Sequence, residues 1–167
     1  YLFDIINKDP VFTKVLPDFD NDFSDEKEGG NRLHWLISSA NTQLGWLTPA
    51  KVPADRADDY LEQRRRILTL KAILIDIYVM KFVCFEYFPN TEDIDFSLKN
   101  NKQESVLNVF EKLLNDMKEK QTKFDADDKE VIQLFNEGIN ESQICIAKLK
   151  AVILKRENET KVSPLKL

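Results

Sequence analysis

His34 is the only histidine in this chain of 167 residues, and Cys84 and Cys145 are its only cysteines. Imidazole and thiolate groups carry much of the metal, nucleophile and proton-transfer chemistry available at neutral pH. A single histidine rules out a His-rich zinc site and makes any Cys–His nucleophile pair depend on His34 alone. His34 sits beside Trp35 near a helix start, where a partly exposed structural histidine is the simpler reading. Cys84 and Cys145 lie among apolar neighbours and read as core thiols. On two parallel helices they differ in height by roughly 15 Å, which is too far for a disulfide. Carboxylates are many, but the Glu-x-x-His motif of a diiron bundle is missing. So are a glycine-rich phosphate loop, a GxSxG elbow and a CxxC pair. The expectation is a non-enzymatic protein with no catalytic residue, no metal site and no cofactor.

Two patterns point to binding instead. The first is Arg64-Arg65-Arg66, the densest basic run, preceded by Asp58, Asp59 and Glu62. Acids at three- and four-residue spacing can pair with these arginines along a helix face. The same guanidinium groups could anchor an acidic or phosphate-bearing partner. The second is the pair Trp35 and Trp46. Eleven residues apart, they align to within about 20° on a helix. The stripe of Leu33, Ile37, Ala40, Leu44 and Leu47 faces about 140° away. Only Ser39 and Thr42 lie between the tryptophans on their side. That face is either covered by another segment or left open as a partner-binding hot spot. Trp35, Trp46, Arg64, Arg65 and Arg66 are the candidate partner-binding residues.

These residues need helices to position them. The segment from Asp55 to Phe88 has no Gly or Pro inside it. Its second part, LTLKAILIDIYVMKFVCFEYF, is apolar around most of a helical circumference, which places it centrally in a fold. Lys71, Asp76, Lys81 and Glu86 recur through its middle and argue against a membrane span. Asp76 is too short to reach solvent from such a helix and needs an exposed strip or a partner. A helix is expected from Asn31, as N-cap, to Leu47. Another runs from Lys102 to Phe124, with Val106, Phe110, Leu113, Met117 and Phe124 on one stripe. A last helix runs from Asp127 to Arg156, with Asp125 or Asp127 as its cap and Glu130 at capping-box spacing from Asp127. The expected fold is all-α: an up-down-up-down four-helix bundle with a long central hydrophobic helix and an irregular N-terminal extension. It is a single domain, with an extension over 1–30, the bundle over 31–158 and a flexible tail over 159–167.

Composition agrees with one such domain. The chain is 43% hydrophobic and 32% charged, with 4 Gly and 6 Pro. The net charge of -5 gives no basic field for nucleic acid. The favoured function is a helical protein-binding module, surface-exposed or exported, that binds a host or partner macromolecule. Its grounds are a first residue, Tyr1, that is not Met, and an acidic lead-in, DFDNDFSDEKE. Two alternatives stand beside it. One is a cytoplasmic adaptor, immunity or regulatory protein acting as a homodimer. The other is a small-ligand-binding bundle or enzyme with a pocket lined by Trp35, Tyr78 and Phe82.

Overall fold

A computed structural model describes residues 26–49, 57–82, 99 and 102–162 of the chain. They form four helices: α1 (Glu26–Trp46), α2 (Ala57–Phe82), α3 (Val106–Gln121) and α4 (Lys129–Val162). The architecture is an all-α bundle, as the hydrophobic periodicity requires. Leu33, Ile37, Ala40, Leu44 and Leu47 of the α1 stripe are all buried, and so are Val106, Phe110, Leu113 and Met117 of α3. Ile73, Ile77 and Met80 of α2 and Val131, Phe135 and Leu149 of α4 close the core from the other side. Below α3, Phe124 tilts against Phe135 with ring centroids 5.3 Å apart.

Hydrogen bonds fix the directions. Gln43 and Thr48 of the α1 arm pair with Asp76 and Arg66 of α2, so these helices run antiparallel. Gln63 meets Asp128, Tyr78 meets Glu137, and Lys81 meets Glu141, so α2 and α4 run parallel. Lys150 meets Glu111 and Gln121 meets Asn136, so α3 and α4 are antiparallel. The up-down-up-down alternation therefore holds. Its corner order is not a simple meander, however. Helix α1 packs on α2 and α3, and α4 packs on the same two. Consecutive helices α2 and α3 thus stand on a diagonal, joined by residues 83–105, the longest link between helices.

Several boundaries differ from those expected. Helix α1 begins at Glu26 and runs through Gly29, Gly30 and Asn31, so Asn31 is interior and is not the N-cap. Each glycine costs only about 1 kcal/mol in a helix, and packing from Leu33 onward outweighs it. Helix α3 starts later than Lys102, capped by Ser105, whose hydroxyl accepts from the Asn108 amide at 3.2 Å. Helix α4 starts at Lys129, so the Asp127–Glu130 capping box does not form. Asp125 and Asp127 instead build the preceding turn, in which the Asp127 amide donates to Asp125 Oδ1 at 2.9 Å. At its far end α4 continues through 159 to Val162, because the polar run ENETKV consists largely of residues a solvated helix tolerates. The rest of the N-terminal extension, Pro53, Cys84, Glu86 and the residues after 162 lie outside the described residues.

No helix is long and apolar enough to cross a membrane, among the described residues. The charges of the apolar helix each find a setting. Lys71 is exposed. Lys81 reaches Glu141 of α4 at 2.8 Å. Asp76, only 7% exposed, accepts from Gln43 Nε2 of α1 at 2.8 Å. The partner that Asp76 needs is thus an amide on the neighbouring helix. Cys145 is a buried free thiol.

Candidate functional site

Two buried carboxylates inside the bundle are engaged in holding helices together. Asp76 lies on the α1–α2 seam, bonded to Gln43, which also donates to Ser39. Burial pushes its pKa up from 3.8 to about 6, and the hydrogen bonds from Gln43 and Ser39 only partly offset this. Asp128, also buried, accepts from Gln63 Nε2 at 2.6 Å across the α2–α4 seam. Ser142 is fully buried on α4, and its hydroxyl has no hydrogen-bond partner among the described residues. No group of three or more His, Cys, Asp or Glu side chains is placed to hold a metal ion, among the described residues.

The arginine run divides. Arg66 is only 9% exposed, and its Nε donates to the Thr48 carbonyl at 2.6 Å while Nη1 donates to Gln63 Oε1 at 3.3 Å. It joins α2 to the residues just after α1, so Arg66, expected among the partner-binding residues, is not part of an open basic surface. Arg64 and Arg65 are exposed. Arg65 pairs with Glu62 at 3.1 Å, the helical spacing foreseen for this face. That pair is largely solvated and weak, so it leaves Arg65 available to a stronger acidic partner.

Both tryptophans stand in the open. Trp35 is 56% exposed and Trp46 is 69% exposed. Tyr60, Leu61 and Leu68 of α2 are also exposed. Leu61, Arg65 and Leu68 follow at four- and three-residue steps and share one stripe. The antiparallel register set by Gln43–Asp76 and Thr48–Arg66 brings Trp46 level with the stretch from Leu68 to Ile73. Trp46 lies seven residues from Ser39, and Arg65 lies eleven from Asp76, so each is on the flank of its helix that borders this seam. Trp46 and Arg65, unconnected in the sequence, therefore border the same seam, while Arg64, twelve residues from Asp76, is turned about 120° away from it. Leu61 and Leu68 lie on the stripe of Arg65, and their exposure was not foreseen. The heptad step between them, with arginines inside it, was the signal available.

Trp35 belongs to a different feature. About 16 Å along α1 from Trp46, it borders a groove of about 360 Å³ between α1 and α3. His34, Ile37, Ser38 and Asn41 of α1, Val109 and Lys112 of α3, and Lys102 and Glu104 just before α3 line it too. Gln103, at φ 62, turns the backbone through the left-handed region between these last two. Tyr78 and Phe82 do not line this groove. Tyr78 donates to Glu137 of α4, on the far side of α2. The pocket of Trp35, Tyr78 and Phe82 expected from the sequence is thus replaced by one between α1 and α3.

No family model, no curated protein and no solved structure matches this chain.

Proposed function

We propose that this chain is a non-enzymatic helical protein-binding module that docks a partner on the outer face of α1 and α2. The observation that carries the reading is the exposure of Trp46 on α1 together with Leu61, Leu68 and Arg65 on one stripe of α2, the helix it packs against. A large aromatic side chain that is left in solvent gains from burial when a partner arrives. Arginine is the cation best suited to an interface, because its planar fork pairs with carboxylates and is weakly hydrated. On a chain of net charge -5 Arg65 is a local exception, and it selects a partner that carries acids around an apolar strip. Engagement of Asp76, Asp128, Lys81 and Arg66 in helix–helix bonds supports a structural rather than catalytic use of the buried polar groups.

A second copy of this chain is a weaker occupant. A twofold axis near the patch would bring Arg64 and Arg65 against their own copies, and like charges disfavour that. The test is a titration of the labelled protein with an amphipathic helical peptide bearing Leu and Trp on one face and Glu on its rim. Saturable shifts centred on the Trp46 indole and Leu68, lost in an Arg64→Glu, Arg65→Glu variant, are expected. Equal binding of a peptide with Lys in place of Glu would overturn the partner class. A protein mass that rises with concentration and falls back in Leu68→Asp would favour the dimer.

A further inference from the structure

We propose that the groove between α1 and α3 is a separate small-ligand site that takes an amphipathic monocarboxylate: an apolar ring or chain with one anionic head. Its volume of about 360 Å³ falls at the lower end of the range for ligand pockets, roughly 300–1,000 Å³. The floor is apolar. Ile37 is buried and Val109 is half-buried, and both belong to the α1–α3 packing. The Trp35 ring forms the rim and offers a flat apolar surface to a ligand lying on that floor.

The polar side chains above the floor select the head group. Ser38 and Asn41 on α1 and Lys112 on α3 make no side-chain hydrogen bond or ion pair with the described residues. They face one cavity from two helices, so their donors converge on the same space. The Lys112 ammonium supplies the charge, and the Asn41 amide and Ser38 hydroxyl supply further donors. Of the two lysines on the lining, Lys102 is already engaged, and Lys112 is left to meet a single negative charge, with His34 on the same wall. Helices α1 and α3 are held by the core beneath, so the site needs no rearrangement to form.

The experiment is a pair of titrations of the isotope-labelled protein, one with phenylpropionate and one with its uncharged analogue phenylpropionamide. Saturable shifts are expected at the backbone amides of Ser38, Asn41 and Lys112, with the acid binding about tenfold more tightly than the amide. Lys112→Gln, at an exposed position, should keep the spectrum of the folded protein and abolish the preference for the acid. Trp46→Ala should leave this binding unchanged, which separates it from docking on the α1–α2 face. The absence of saturable shifts, equal affinity for acid and amide, or shifts centred on Trp46 and Leu68 would each overturn the proposal.

Discussion

Asp76 is where the bundle bears an unfavourable charge. Its carboxylate is buried between α1 and α2, with Gln43 donating to one oxygen. Its pKa in the folded protein, about 6, exceeds the ordinary 3.8. The folded state therefore binds this proton more tightly than the unfolded chain between those two values. The contribution of Asp76 is most favourable below about pH 4 and declines as pH rises to about 6. The size of the decline is about 3 kcal/mol. Asp76→Asn keeps an acceptor for Gln43 and removes the charge. Urea unfolding at neutral pH should show the variant more stable by up to that amount, and its stability should lose the slope between pH 4 and 6 that the parent has. Arg66 presents the opposite case, a buried charge that serves the fold. Arg66→Ala frees the Thr48 carbonyl from a charged donor and should cost about 2 kcal/mol. Arg64→Ala and Arg65→Ala should each cost under about 0.5 kcal/mol in the same denaturation series.

At the scale of the helix, the faces were legible and the ends were not. Apolar side chains at three- and four-residue steps identified the buried stripes of α1 and α3 residue by residue, because only those positions can point into a shared core. Helix ends are set by smaller competing terms. Gly29 and Gly30 resemble a stop but sit inside α1, where one or two kcal/mol is outweighed by propagation into a packed helix. The corner order was hidden for another reason. Periodicity says which face is buried and not which neighbour buries it, so the diagonal placement of α2 and α3 left no mark on the sequence. Glycine offers a direct test at this scale. Gly45, in the last turn of α1, has nothing within 4 Å of an added Cβ. At Gly138 in α4 an added Cβ would meet Leu74 Cδ2 at 3.4 Å, Met117 Sδ at 3.5 Å and Ile77 Cδ1 at 3.6 Å, all ordinary contacts. Gly45→Ala and Gly138→Ala should each raise stability by about 0.5–1 kcal/mol in thermal or urea unfolding.

The whole molecule joins residues that the chain keeps apart. Trp46 and Arg65 come from separate helices and share a side of the bundle only because α1 packs antiparallel on α2. The sequence named both, but it could not show that Arg66 would be drawn into the helix junction or that Leu61 and Leu68 would stay outside. It also paired Trp35 with Trp46 on one strip of α1, and Trp35 in addition borders the groove beside α3. The claim at the centre of this account is that Trp46 is held in solvent by a folded bundle, ready for a partner. Trp46→Ala should then cost under about 1 kcal/mol of stability, against the 3–5 kcal/mol that loss of a buried tryptophan brings. The most direct measurement is acrylamide quenching of tryptophan emission in a Trp35→Phe variant, where Trp46 is the only reporter. Red-shifted, readily quenched emission is the result the account predicts. Blue-shifted emission protected from acrylamide would mean that Trp46 is covered in the free protein, and would contradict a docking face on α1 and α2.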